Sequence, residues 1–214
     1  MTARPGGMRE KQADRRARTR SALLESAARG FSTYGYGNVA LERVAAEAGY
    51  TRGALYHLFA NKEDLALAVV QWVEETWNAE VGGPAAAKAD PVEALLVMAR
   101  GHAVYCRRDV ARVMRALSVE FSGQDHAVGR ALAGVIERLA AECTRRITAA
   151  RECGAIPPGP PPREVALAYI GTLEGLVSSL AGHVPHDVEL IERAVRGLLG
   201  LPPRACSDGP RDQP

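Results

Sequence analysis

Thr51, Arg52, Tyr56 and His57 lie within one seven-residue stretch, and Lys62 follows shortly after. Their side chains share one chemistry, which is hydrogen bonding to a polyanion whose base edges are exposed. On a short helix beginning at Arg52, the guanidinium points outward at the first turn, where it reaches a guanine edge or a phosphate. The Thr51 hydroxyl is placed to cap that helix, and unpaired backbone N–H groups at its start suit a phosphate. Tyr56 and His57 offer an O–H and an N–H to backbone phosphates. Gly53 and Ala54 keep the helix slim enough to sit deep in a major groove. Lys62 begins the next helix on the same side.

Positioning these groups is the task of residues 41–59, LERVAAEAGYTRGALYHLF. Two short helices, Leu41 to Ala48 and Arg52 to Leu58, hinge at Gly49, a residue that enters the left-handed region readily. Val44, Ala45 and Ala48 share one face; Leu55, Leu58 and Phe59 share another, and Tyr50 fills the apolar position after the turn. Ala45 is small where the helices touch. An ordinary helical hairpin with a solvated polar face is the plain alternative. The combination of glycine, small and apolar positions with an outward Thr-Arg favours a helix-turn-helix. Before it, Leu24, Ala27, Ala28, Phe31 and Tyr34 fall at three- and four-residue steps in a helix running from Arg15, which Gly35-Tyr36-Gly37 ends. After it, Asn61-Lys62-Glu63-Asp64 reads as the cap and acidic first turn of a helix reaching about Val81, broken by Gly82-Gly83-Pro84. The first twenty residues hold seven basic side chains (among them Arg4, Arg9, Lys11, Arg18 and Arg20) against two acidic ones, although the chain as a whole is only +2. A basic arm on a slightly acidic body suits a polyanion at one end of the molecule.

Tyr34-Gly35-Tyr36, Val44-Ala45, Ala48-Gly49 and Gly53-Ala54-Leu55-Tyr56, with Phe59 and Lys62-Glu63 after them, resemble the signature of TetR-family regulators. The resemblance is close over roughly residues 18–70 and otherwise extends only to length and helical character. It implies a homodimer with a three-helix DNA-binding domain and a C-terminal domain for ligand binding and dimerisation. Two positions depart from the family pattern. Val39 and Ala40 stand where a hydroxyl usually caps the first helix of the motif and touches phosphate, with Asn38 as the substitute cap under a shifted start. Leu58 stands where a histidine is common. Both losses shift backbone binding onto the arm and onto Arg18, Thr19 and Arg20.

Beyond the motif the pattern stays helical near 91–107, 109–121, 127–152, 163–181 and 187–199, with no convincing alternating strand. The expected architecture is all-α with roughly nine helices. Its divisions are a basic arm (1–14), a helix-turn-helix domain (15–61), a ligand-binding and dimerisation domain (62–201) and a disordered tail (202–214). Residues 157–162, PPGPPP, form an exposed stiff linker. On the C-terminal helices His102 and Tyr105 lie close together, with Met98 a turn earlier, and Met114, Glu120 and Phe121 follow. By resemblance an effector pocket lies between such helices and the one from Lys62, to which Trp72 and Trp77 add aromatic walls; plain core packing is an equal alternative for any single residue. Leu167, Ile170, Leu173, Val177 and Leu180 give a broad apolar face, and Gly171, Gly175, Gly197 and Gly200 permit close helix approach. The resemblance makes helices 163–181 and 187–199 the dimer interface.

Other functions leave no trace in the residues. There is no Gly-rich phosphate loop, nucleophile elbow or H-E-x-x-H motif, so neither catalysis nor a cofactor is expected. Cys106, Cys143, Cys153 and Cys206 lack metal or disulfide spacing and read as buried or bystander thiols, with redox sensing the lesser alternative. No signal peptide or membrane span is evident, which places the protein in the cytoplasm. The expected function is a repressor: a dimer holds two reading helices about 34–36 Å apart on a palindromic operator. A small lipophilic effector then releases it. A constitutive DNA-binding protein without effector, and a ligand-dependent activator, are the alternatives.

Overall fold

Leucine and alanine at helical spacing, uninterrupted by proline, produce the helices of the computed structural model, which describes residues 6–180 and 186–203, with side chains from residue 12. Arg4 and Cys206, the side chains of Arg9 and Lys11, and tail residues 204–214 lie outside the described residues. Among those described the chain is all-helical, with nine α-helices of seven residues or more, one four-residue α-turn, a π turn (Asn78–Gly82), a 3-10 turn (Asp109–Arg112) and no strand. It forms two compact units.

The first unit runs to Trp77 and resumes over Arg108–Ile136. It contains α1 (Gly6–Asn38), α2 (Leu41–Glu47), α3 (Arg52–Leu58), α4 (Lys62–Trp77) and α7 (Val113–Glu120), with α8 (Ala127–Glu152) as far as Ile136. Leu23, Leu24, Ala27, Ala28 and Phe31 are the buried stripe of α1, and α2, α4 and α7 pack around that helix. Leu55, Leu65, Val69, Val113 and Leu117 complete the core. Tyr34, expected on the same stripe, is 41% exposed. At Gly35 the backbone turns to φ 76° and leaves the helix, so Tyr36–Asn38 form a separate final turn. The start of α4 is capped as expected: Asn61 Oδ1 accepts from Asp64 N (2.8 Å), and Asp64 Oδ2 accepts from Ala60 N (2.9 Å).

The second unit holds Asn78–Arg107 and the chain from Glu137 onward. Gly82-Gly83-Pro84 does not break the chain into a loop. A π-helical turn, Asn78–Gly82, leads into a single α-turn, α5 (Gly83–Ala86), because Pro84 falls in the first turn, where a missing N–H costs nothing. α6 (Pro91–Tyr105) starts at Asp90, whose carboxylate accepts from Val92 N (2.8 Å) and Glu93 N (3.3 Å). α9 (Pro162–Ser179) and α10 (His186–Leu198) follow, and α10 packs on both α6 and α9. Leu95, Ala99, Leu173, Ile191 and Val195 are fully or nearly fully buried, and the buried Tyr169 donates its hydroxyl to Leu95 O at 2.7 Å. Residues 157–161 are exposed, as a proline-rich linker should be, and Pro162 starts α9 at a position that tolerates it. Of the apolar face expected on this helix, Ile170, Leu173 and Val177 are buried within the chain together with Val165, Ala166 and Tyr169, whereas Leu167 is exposed. Among the described residues no helix is long and apolar enough to cross a membrane.

Candidate functional site

The presentation of α3 begins with the chain reversal after α2. Tyr50 N donates to Ala45 O (2.9 Å) and Gly49 N to Ala46 O (3.0 Å), the paired bonds of a Schellman cap, and Gly49 has φ 77°. A Cβ at Gly49 would meet nothing within 4 Å, so backbone conformation alone selects glycine there. Thr51 then caps α3, accepting from Ala54 N at 3.2 Å. Leu55 and Phe59 are buried and Leu58 half-buried, which fixes the helix and leaves Thr51, Arg52, Gly53, Tyr56 and His57 exposed together. The fully buried Ser26 donates to Val44 O (3.0 Å) and ties α1 to α2; a serine within an apolar stripe gives no sign of this in the sequence.

Arg52 is not a free side chain. Its Nε stands 3.1 Å from Glu42 Oε1, and its guanidinium carbon lies 5.2 Å from the centre of the Tyr56 ring. Both charged groups remain largely exposed. On α2, Arg43 is committed further: its Nε pairs with Glu47 (2.7 Å), its Nη2 donates to the Tyr34 hydroxyl, and it lies 4.1 Å above the Tyr34 ring. That stacking explains the outward turn of Tyr34.

The flanking residues fall as follows. Ala40 is the N-cap of α2 and makes no side-chain cap bond, while Val39 is buried. Asn38 does not substitute as the cap, because its Nδ2 donates back to Tyr34 O (3.0 Å). Arg18 is exposed on α1, Thr19 donates its hydroxyl to Arg15 O (2.9 Å), and the Arg20 guanidinium sits 5.9 Å from the Phe59 ring centre. Lys62 donates to the carbonyls of Tyr36 and Gly37, each at 3.0 Å. From the other side, Glu120 accepts from the N–H groups of the same two residues, at 2.6 and 2.9 Å. The Tyr36–Gly37 segment is thus held through both its donors and its acceptors. Phe121 meets the Tyr36 ring edge-on at 5.0 Å and stacks on His126 at 4.3 Å. Burial, then the nearby Glu63 and Glu120 carboxylates, raise the Tyr36 hydroxyl above its ordinary pKa.

The residues expected around an effector divide between the two units. Trp72, Met114, Glu120 and Phe121 belong to the first; Met98, His102 and Tyr105 belong to the second. Trp72 and Met114 are half-buried. Met98 is buried, with its sulfur 4.0 Å from Cys143 Sγ, and burial pushes the Cys143 thiol up to about 12. His102 is buried with Nε2 3.4 Å from Glu174 Oε1 and 3.5 Å from Cys106 Sγ. Tyr105 borders a cleft of about 360 Å³ within the second unit, whose walls include Val81, Pro84, Val97 and Val104.

On α9, Leu167 is 46% exposed, and Gly171 and Gly175 are exposed with nothing within 4 Å of where a Cβ would stand. Gly197 on α10 is equally open, and Leu190 on the same helix is partly exposed. These glycines therefore serve no close approach within the chain. Gly200 differs: it has φ 67° in the cap after α10, and a Cβ there would stand 2.7 Å from Pro157 Cγ.

Residues 23–69, which span the Schellman turn and all of α3, match the family profile described as bacterial regulatory proteins, tetR family. The HTH-type transcriptional regulator YxaF of Bacillus subtilis is 33% identical over 81 residues, 37% of this chain and 42% of that protein. The HTH-type transcriptional repressor AcnR of Corynebacterium glutamicum is 36% identical over 58 residues, 27% of this chain and 31% of that protein. The chain therefore matches less than half the length of either relative. The crystal structure of AibR in complex with isovaleryl coenzyme A and operator DNA superposes with a TM-score of 0.68, covering 87% of this chain and all of that one at 23% identity, a likeness of fold. Over residues 23–69 the chain is similar to the tetR family of bacterial regulatory proteins, and its fold is like that of the AibR structure.

Proposed function

We propose that this protein is a cytoplasmic DNA-binding transcriptional repressor that reads a palindromic operator as a homodimer and is released by a small, lipophilic effector. The observation that carries the reading is the exposed face of α3, where Thr51, Arg52, Gly53, Tyr56 and His57 stand together on a helix anchored by Leu55 and Phe59. Arg52 supplies the base contact, since an arginine fork pairs with guanine O6 and N7. Tyr56, His57 and the arm with Arg18, Thr19 and Arg20 supply backbone contacts. Lys62 adds charge to that edge while holding the end of α1. In this reading residues 15–61 recognise DNA, and residues 62–201 bind the effector and the second copy.

One short helix makes too few base contacts for useful specificity, so two copies in successive major grooves are required. The outer face of α9 and α10, with Leu167, Leu190, Gly171, Gly175 and Gly197, suits close approach of a second copy. For the effector, support comes from the AibR structure, whose DNA complex also holds an acyl coenzyme A. Trp72, Met98, His102, Tyr105, Met114, Glu120 and Phe121 are the residues proposed to respond to it. Release requires the effector to favour the conformation that does not bind DNA, because differential affinity is the only source of a switch.

Arg52→Ala tests the DNA reading. It should weaken operator binding and bring it towards the affinity for random DNA in a mobility-shift titration. Equal behaviour of mutant and wild type on both duplexes would refute the assignment. A compound that raises the melting temperature yet leaves operator affinity unchanged would contradict the release step.

A further inference from the structure

The two arginines on the helix-turn-helix are held in different ways. Arg43 has its Nε on Glu47, its Nη2 on the Tyr34 hydroxyl, and its plane on the Tyr34 ring. Arg52 meets Glu42 through Nε, at 3.1 Å, and leans on the Tyr56 ring. Its side chain is 66% exposed, so the guanidinium is open to something outside the chain. Glu42 belongs to α2 and Arg52 to α3, so the ion pair spans the two helices of the motif on its exposed side.

A pair exposed to this degree adds little to stability. A carboxylate beside a DNA-reading arginine also works against binding a polyanion, so the pair calls for a reason other than affinity. Two consequences follow from its geometry. With the Nε edge and the ring face occupied, the guanidinium loses rotational freedom, and the edge it presents is the Nη1–Nη2 fork that pairs with guanine O6 and N7. The neighbouring negative charge also nearly cancels the positive one at phosphate distance. That weakens attachment to any backbone while leaving the directional hydrogen bonds to a base intact.

We propose that Glu42 is a positioning residue for base reading, which aims the Arg52 fork and suppresses its use as a generic phosphate clamp. The proposal rests on Arg52 being a base contact, and the experiment separates failure of one from failure of the other. A consensus duplex is first selected by the full-length protein from a randomised pool, and the base pair that depends on Arg52 is identified with Arg52→Ala. Binding of wild type, Glu42→Ala, Glu42→Gln, Arg52→Ala and the Glu42→Ala/Arg52→Ala double variant is then measured over a salt series. The probes are the consensus, the consensus altered at that pair, and a scrambled duplex.

Glu42→Ala should bind the scrambled duplex several-fold more tightly, with a salt dependence steeper by roughly one phosphate contact for each copy of the chain on the duplex. Its preference at the Arg52-dependent base pair should fall roughly tenfold, with the melting temperature unchanged. Glu42→Gln retains an acceptor oxygen and should restore most of that preference. Glu42→Ala should cost nothing further at that pair once Arg52 is alanine. If Arg52→Ala costs preference but Glu42→Ala does not, or if glutamine restores nothing, the proposal falls and the reading of Arg52 stands. If Glu42→Ala still costs preference in the Arg52→Ala background, Glu42 touches the base itself and the positioning role is wrong. If Arg52→Ala alters preference at no base pair, the base-reading role of Arg52 fails, and the proposal with it.

Discussion

Asp187 is buried in the first turn of α10, and its two oxygens meet Arg107 Nε at 2.9 Å and Nη2 at 2.8 Å. The Arg107 hydrogen bonds, with a further one from Val188 N, hold its carboxyl below the ordinary aspartate range. A lowered folded-state pKa means that the ionised form is favoured by folding. The pair's contribution is therefore complete above the unfolded value near pH ~4 and is lost as pH falls through the folded value. Asp187→Asn should accordingly melt below wild type at neutral pH, and the gap should close below about pH 4; a gap independent of pH would contradict the account. At this scale the sequence was informative where one residue type suffices. Thr51 as a cap, Asn61 as a cap and Gly49 as a hinge each follow from local chemistry. Ser26, Glu42 and Asp187 gave no signal, and Glu120 none of its hold on Tyr36, because their partners lie 18, 10, 80 and 84 residues away.

The helix-turn-helix tests how an element is built, because its two glycines have different reasons. Gly49 has φ 77° and open space around it, so Gly49→Ala incurs only the left-handed backbone cost, roughly 1–2 kcal/mol. In a chain of this size each kcal/mol corresponds to a fall of about 2–4 °C in melting temperature. Gly53 lies in ordinary helix, where a Cβ would meet only Thr51 Oγ1 at 3.8 Å. Gly53→Ala should therefore leave the melting temperature unchanged or slightly raised while weakening binding to DNA, since the space it fills is space a groove wall needs. A substantial melting-temperature loss in Gly53→Ala, or none in Gly49→Ala, would show that the two glycines have been misread. Element positions were largely legible, since 3.6-residue periodicity and caps act locally. The Gly82-Gly83-Pro84 stretch was not, because whether glycine and proline break a helix depends on where the next one starts. Tyr34 was placed on the wrong face for a related reason: periodicity ranks hydrophobicity, and Tyr34 lies outward beneath Arg43.

For the whole molecule, the proposed dimer depends on the outer face of α9. Gly171→Leu adds a side chain where the chain itself offers nothing within 4 Å, so the monomer fold should survive. Sedimentation should show a shift from dimer to monomer, with helical content and two-unit folding retained. A dimer that persists unchanged would move the interface elsewhere. Fold class was legible from composition and period, and the exposed face of α3 from one compact motif. The arrangement into two units was not, because α8 contributes to both and nothing local marks Ile136 as the boundary. The effector residues suffer from the same limit: apolar side chains at helical spacing serve core and cavity alike, and the seven named divide between the units. Whether a symmetric pair of α3 helices reads DNA is decided by sequencing the duplexes that the full-length protein selects from a randomised pool. The account predicts an inverted repeat whose half-sites are centred about 34–36 Å apart, with guanine preference lost in each half when Arg52 is alanine. Enrichment of no sequence, or of a single half-site insensitive to Arg52, would contradict it.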